Sequence, residues 1–543
     1  MASKEGYLGN SNLKRTKVNI SYTKEQILEF QKCAEDPIYF VRKYIKIVNV
    51  DLGLIPFDLW PFQADMIQTA VDERFVICKM PRQVGKTTTV AALILWYVLF
   101  RENFSVAILA NKEKQAIEIL SRIQLAYEHL PKWLQQGIKE WNKKDIELEN
   151  GSKILASSTS SSAIRGTSQN LVYLDEFAFV PPNMQEDFFA SVYPTISSGK
   201  TTKVLITSTP NGLNMFYKLW VDSEHDRNSY KRVDVHWTDI PGRDEAWKLE
   251  TIKNTSEDQF RQEFECEFLG STNTLLSASV LKRLVFINPI KQSPEGLKVY
   301  SDPLQERLYT VIVDTSRGKG LDYSAFIVVD VTEVPYRTVA TFRNNEIASL
   351  IYPNVVQQTA RYYNNAHVLI ETNDVGQQVA DILYSDLEYE NVIFCETHGK
   401  TGQTLSSGHS PQKHIGVRTT KQVKRVGCSN IKALIENNQM IVEDFHTIEE
   451  FSRFSLKGTS YEAEEGSHDD LVMCHVLFAW MSVQPYFKEL TNLDIRHKLY
   501  MEKQRMLEEQ MLPFGIIEDG IPDQSFEQIV DLENMSFEQW LRN

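Results

Sequence analysis

Six cysteines in 543 residues, Cys33, Cys78, Cys266, Cys395, Cys428 and Cys474, form no C-x-x-C pair and show no zinc-ligand spacing. That scatter excludes a disulfide framework and a cysteine-based metal site, and fits thiols in a reducing compartment. Bilayer-length apolar runs are also missing: the stretch from Val90 to Phe100 ends at Arg101-Glu102, well short of the roughly 20 residues a span requires. The opening MASKEGYLGNSNLKR has no apolar signal-peptide core, so an intracellular protein with no membrane association is expected. Basic charge is in deficit, 58 Lys and Arg against 72 Asp and Glu, which argues against a surface that coats nucleic acid everywhere. Part of the excess is local, because from Met506 onward nine carboxylates face one basic residue, Arg542. What is present, 42% hydrophobic and 24% charged residues, is the composition of a globular chain long enough for two or more domains.

Strand-like apolar runs, RFVICKM, FSVAILA, LVYLDEF and KVLITSTP, each leave room for a helix before the next. That alternation predicts a parallel sheet wrapped by helices. A second set, RLYTVIVDTS, SAFIVVDVT, RTVATFRNN and AHVLIETND, begins after residue 300 with hairpin-like spacing and predicts a separate mixed α/β domain. The small, polar CEFLGSTNTLLSASV lies between the two sets. The expected division is 1–270, a hinge at 271–284, a second domain at 285–490 and an acidic tail at 491–543.

The chemistry of the first domain starts at PRQVGKTT. Gly85 lets backbone approach phosphate, Lys86 reaches β- and γ-oxygens, and the Thr87 hydroxyl can ligate Mg²⁺. The strand RFVICKM precedes it and an apolar helix follows, so phosphate would meet the positive end of a helix. Met80 stands where the general pattern has its first glycine. The strand LVYLDEF ends in Asp175, suited to complete a Mg²⁺ site, and Glu176, suited to orient the attacking water. Asp175-Glu176 could equally be a solvated pair if the P-loop were absent. TSTPNG supplies Thr207, Ser208 and Thr209 at a third strand end, either a turn or a contact that relays loss of the γ-phosphate. Gln63 in FDLWPFQADMI can pair with adenine or belong to an aromatic core cluster. Arg82 and Arg165 are candidate arginine fingers or surface ion-pair residues.

In the second domain three acidic sites lie far apart in sequence. Asp314 ends TVIVDTS, Glu371 ends AHVLIET, and Asp469-Asp470 open the apolar helix of EEGSHDDLVMCHVLFAW. Carboxylates on two strand tips and a facing helix can hold two Mg²⁺ or Mn²⁺ ions for in-line attack on a phosphodiester, which points to an RNase H-like nuclease. Asp470 is favoured over Asp469, which can serve as the helix N-cap. Asp322 can assist or sit in a turn, and His468 reads as a supporting group. Between Glu371 and that helix, KTGQTLSSGHSPQKHIGVRTTKQVKRVG carries Lys400, Lys413, Arg418, Lys421, Lys424 and Arg425 and no acidic residue, a stretch suited to tracking phosphates without reading sequence.

PRQVGKTT, VYLDEFAF, TSTPNGLN, VDTSRGKGLDYSA, LIETNDVG and EEGSHDDLVM, in that order from Gln63 to Trp480, together resemble the large terminase subunit of T-even-like tailed bacteriophages. That family's loop commonly lacks the first glycine, so Met80 departs from the general P-loop and not from the family. The resemblance implies an N-terminal ASCE-type P-loop ATPase, with a small subdomain partly from residues 225–270, and a C-terminal RNase H-like nuclease. ATP and Mg²⁺ are the implied cofactors, with Mn²⁺ an option at the nuclease. The implied nucleotide set is Gln63, Pro81, Arg82, Gln83, Val84, Gly85, Lys86, Thr87, Thr88 and Asp175. Glu176 becomes the catalytic carboxylate, Arg82 the finger, Thr207 to Thr209 the coupling motif, and Asp314, Glu371 and Asp470 the metal triad. Implied partners are double-stranded DNA, the portal, the small terminase and further copies in a ring of five. Work in the host cytoplasm, transiently on the prohead portal and not in the mature virion, follows.

The loop HGKTGQTLSSGHSPQKHI looks longer than the family's. The tail repeats Ser-Phe-Glu-Gln at 525–528 and 536–539, either two short partner-docking helices or a disordered solubilising segment. A superfamily 2 helicase or restriction-type translocase fused to a nuclease is the alternative, and lacks a convincing later arginine pair before residue 270.

Overall fold

The computed structural model describes residues 6–49, 51–160, 164, 167–269, 273–316, 323–398, 402–406, 413–458, 460–464 and 466–491. Arg165, Asp322, Lys400, most of the long loop's centre and the acidic tail therefore lie outside the described residues. The chain divides into two compact units, Met1–Gly270 and Ser271–Asn543.

The first unit is built on an eight-stranded sheet. Its order is Lys231–Asp234, Phe75–Lys79, Lys203–Ser208, Leu171–Asp175, Ser105–Ala110, Lys153–Ser158, Asp145–Leu148 and Ile138–Trp141. The first six run parallel and the last two continue antiparallel. Strands buried on both faces read as unbroken apolar runs, which is why Leu171–Asp175 is buried at every position. Strand Lys203–Ser208 lies between the P-loop strand and the strand ending in Asp175-Glu176, the insertion that defines the ASCE layout. Helix Lys86–Phe100 is apolar all round because it is enclosed. Outer helices cover it, with the Trp96 indole donating to the Cys33 carbonyl at 2.8 Å and the Tyr97 hydroxyl to Ala70 at 3.4 Å. Within the expected small subdomain, Lys231–Asp234 joins the main sheet, leaving helices Glu245–Asn254 and Glu257–Glu263 around an aromatic cluster of Trp237, Trp247, Phe260 and Phe264.

The second unit centres on a sheet with Lys291–Gln292, Leu297–Val299, Tyr336–Asn344, Ser324–Asp330, Tyr309–Asp314 and His367–Ile370 in that order, plus Met440–Ile441 beside Tyr336–Asn344. The three long strands form an antiparallel meander, and His367–Ile370 pairs parallel with Tyr309–Asp314. Helix Asp470–Ser482 lies on one face, where the His475 ring is 3.0 Å from the Thr338 hydroxyl and the Cys474 thiol reaches the Ala325 carbonyl. Helix Lys421–Glu436 packs on it so closely that a Cβ at Gly427 would stand 2.3 Å from the Val476 carbonyl oxygen, so only glycine permits the approach. All six cysteines are buried and unbridged.

Candidate active sites

The first site forms where strand Phe75–Lys79 gives way to helix Lys86–Phe100. Met80 stays tied to the sheet, its N–H donating to Ser208 at 3.1 Å while its side chain is fully buried, so the missing glycine costs the loop nothing. The turn is made later: Gln83 has φ 59° and Gly85 φ 74°, and a Cβ at Gly85 would lie 2.7 Å from the Gln63 amide nitrogen. Gln63 itself is buried behind the loop, donating to the Val84 carbonyl at 3.0 Å and accepting from the Trp60 N–H at 3.0 Å. In this arrangement its amide supports the loop. Pro81 is buried, and Arg82, Gln83, Val84, Gly85, Lys86 and Thr87 line a cleft of about 510 Å³. The Thr88 hydroxyl accepts from Arg122 at 2.7 Å.

Across the cleft, Asp175 is the centre of a buried hydroxyl network. It accepts from the Tyr173 hydroxyl at 2.8 Å and from Thr207 at 2.9 Å, and the Thr87 hydroxyl stands 3.4 Å away. Burial, then the neighbouring Glu176 charge, raises its pKa above the usual carboxylate range, with Lys86 acting the other way. Glu176 takes a left-handed backbone, φ 50°, and its carboxylate meets the Lys86 ammonium at 2.7 Å. A non-glycine residue in that region marks strain of the kind retained at functional sites. The residues after Thr207 continue the network: Ser208 accepts from the Ala178 N–H, Thr209 is buried, and Gln262 donates to the Pro210 carbonyl at 3.2 Å. Arg82 is engaged with Glu263 at 2.6 Å, and Arg243 donates to the Arg82 carbonyl at 3.0 Å. A helix N-terminus, a lysine, and a threonine facing a buried aspartate form a donor set that fits a Mg²⁺–nucleoside triphosphate.

Sequence reasoning missed Tyr173, Arg122, Arg243 and Glu263. Tyr173 had a signal, since it lies two residues before Asp175 and thus on the same strand face. Glu263 and Arg243 are more than 150 residues from the loop and carry no motif.

The second site lies where three elements of the second unit end. Asp314 closes its strand, Glu371 follows His367–Ile370, the neighbouring strand, and Asp470 begins the helix that crosses them. Burial pushes the Asp314 carboxyl well above its ordinary range, and the Glu371 and Asp470 charges push the same way. A buried carboxyl crowded by two further carboxylates is what a divalent cation relieves, so this donor set fits hard metal ions. Asp469 occupies the N-cap position without a side-chain capping bond, and it is Asp470 that acts on Asp314. His468 stands beside Asp470, Nδ1 to Oδ2 at 3.9 Å. Glu371 is oriented by Asn373, whose amide donates to it at 2.8 Å. A fourth carboxylate, Glu450, went unnoticed in sequence and is buried close to Asp470.

The basic stretch is built against this site. Thr372 N–H donates to the Val417 carbonyl and Val417 N–H to Ile370, both at 2.8 Å, so Arg418 leaves the strand edge beside Glu371. Helix Lys421–Glu436 follows, with Lys421 and Arg425 exposed and Lys424 5.4 Å from the Phe454 ring. Lys413 belongs to the small sheet that precedes it.

Comparison with known proteins matches residues 77–283 to the family described as terminase large subunit, T4likevirus-type, N-terminal, and residues 311–479 to the terminase RNaseH-like domain. Among curated proteins, the terminase large subunit of Thermus phage G20c is 23% identical over 89% of this chain and 98% of its own. That of Thermus virus P23-45 is 24% identical over the same shares. The crystal structure of the HK97 bacteriophage large terminase covers 82% of this chain and 99% of its own at 14% identity and a TM-score of 0.46. With the two family matches spanning both sites in the expected order, the chain belongs to the T4-like family of terminase large subunits.

Proposed function

We propose that this chain uses ATP hydrolysis to drive double-stranded DNA into a prohead and cuts concatemeric genome DNA with a metal-dependent nuclease. The observation that carries this reading is the presence of both sites, each with its charged groups gathered, on one chain. In the ATPase, Lys86 would exchange Glu176 for β- and γ-oxygens, which frees Glu176 to orient water. Thr87 and Asp175 would hold Mg²⁺, whose role when bound is to neutralise charge on the phosphates. Thr207 touches Asp175 and the following Pro210 touches Gln262, a route by which phosphate loss reaches the aromatic helices. Arg82 would serve as the finger through its terminal guanidinium nitrogens, with Glu263 holding Nε.

In the nuclease, Asp314, Glu371 and Asp470 would hold Mg²⁺ or Mn²⁺, which supply Lewis acidity and an activated water when bound. Lys413, Arg418, Lys421, Lys424 and Arg425 would hold the DNA backbone without sequence preference. The portal, the small terminase and a ring of five copies are the proposed partners, and the host cytoplasm is the proposed place of work, transiently at the prohead portal. Among the described residues no helix is long and apolar enough to cross a membrane. The test is paired assays on purified protein: Glu176→Gln should lose ATP hydrolysis and keep metal-dependent DNA cleavage, and Asp314→Asn should do the reverse.

A further inference from the structure

Arg243 reaches the phosphate loop from the segment between strand Lys231–Asp234 and helix Glu245–Asn254, 161 residues after Arg82 in sequence. One guanidinium nitrogen, Nη2, donates to the Arg82 carbonyl at 3.0 Å and to the Gln83 carbonyl at 3.4 Å. Packing sets its direction, since the guanidinium lies 4.7 Å from the Trp247 ring centre and 5.5 Å from that of Phe264. Gln63 takes the next carbonyl, that of Val84, at 3.0 Å. Three successive loop carbonyls are therefore engaged by side chains. In a planar trans peptide the N–H points opposite to the C=O, so the same three bonds aim the N–H groups of Gln83, Val84 and Gly85. No backbone carbonyl among the described residues accepts from any of the three. Positive φ at Gln83 and Gly85, on either side of Val84, gives the alternating hand that turns successive N–H groups toward one anion.

We propose that Arg243 is a positioning residue of the nucleotide site: by holding the Arg82 and Gln83 carbonyls it keeps the Gln83 and Val84 N–H groups aimed at the phosphates. A hydrogen bond from a cation also polarises each peptide and makes its N–H a stronger donor. Without Arg243 the carbonyls of the exposed Arg82 and Gln83 can bond water instead, and the cradle loses its preformed shape. Backbone N–H groups of such a loop hold the α- and β-phosphates, which ATP and ADP share. Arg243 therefore supports both nucleotides alike, unlike a finger that acts on the transferred phosphate. The inference rests on the ATPase reading above, so its test includes a control for that reading.

The experiment is equilibrium binding of ADP and of a non-hydrolysable ATP analogue, each with Mg²⁺, to the full chain. Steady-state ATP hydrolysis and the melting temperature without nucleotide are recorded alongside. Lys86→Ala must weaken both ligands; if it does not, the nucleotide-site reading itself fails. With that control satisfied, Arg243→Met, which keeps an apolar stem against Trp247 and Phe264, should weaken both about tenfold at a near-parental melting temperature. The KM for ATP should rise with kcat near parental, the mark of lost uniform binding. Parental affinity, a loss confined to the ATP analogue, or a fall in kcat at unchanged KM overturns the proposal. Arg243→Lys separates position from charge, and decides alone should Arg243→Met fail to fold. Its ammonium keeps the positive charge on a side chain one atom shorter, so both ligands should still bind more weakly, and parental affinity overturns the proposal.

Discussion

The Lys86 ammonium lies 2.7 Å from the Glu176 carboxylate, so the cation suited to phosphate and the carboxylate suited to water neutralise each other. Glu176→Gln should therefore do two things. Hydrolysis should fall by about 10²–10⁴-fold, the usual worth of a positioned general base. ATP binding should hold or tighten, because Lys86 no longer has to leave an ion pair. Phosphate release and equilibrium binding of a fluorescent ATP analogue measure the two effects separately.

Tyr173 and Thr207 both donate to Asp175 from within the core. Tyr173→Phe removes one buried donor at a cost of about 1–3 kcal/mol to the group it served. The expected result is a higher Mg²⁺ requirement for ATP hydrolysis with DNA cleavage unaffected. Mg²⁺ titrations of the two activities on the same preparation check this.

Burial, and then the Glu371 and Asp470 charges, raise the pKa of the Asp314 carboxyl well above its ordinary value. The native state thus keeps this proton to a higher pH than the unfolded chain, which releases it near the ordinary aspartate value. The resulting stability is complete below that value and is lost as pH rises through the raised native one. Asparagine has no proton to lose. In chelator, Asp314→Asn should melt a few degrees above the parent at pH 8, with the difference shrinking toward pH 4. Mn²⁺ should raise the melting temperature of the parent and not of the variant, and should release protons on binding.

Arg418, Lys421 and Arg425 are exposed on the segment that pairs beside Glu371. Each phosphate contact contributes about 0.9 to the slope of log affinity against log salt on duplex DNA. Replacing Lys421 and Arg425 with Gln should flatten that slope by about 1–2 and weaken binding equally for unrelated sequences. Binding titrations from low to moderate salt measure it.

Much of this was legible because buried parallel strands are unbroken apolar runs, and charged residues at their tips stand out. Asp175, Glu176, Asp314 and Glu371 are all of that kind, and Asp470 opens a helix too apolar to be anything but buried. The antiparallel strands Ile138–Trp141 and Asp145–Leu148 were not legible, since IKEW and DIEL are short and half-exposed. Glu450 was hidden because Glu449-Glu450 reads as the solvent face of a helix, yet both are buried. The Gln63 contact with Val84 was not legible, since it depends on Val84 coming round the loop to meet it.

The most direct measurement is ATP-dependent protection of linear duplex DNA from added DNase, with matching proheads and the Asp314→Asn chain. Full-length protection should appear with Asp314→Asn and vanish when Glu176→Gln is added to it. Absence of protection despite brisk ATP hydrolysis and verified portal docking, or protection that survives Glu176→Gln, would contradict an ATP-driven packaging motor working from this site.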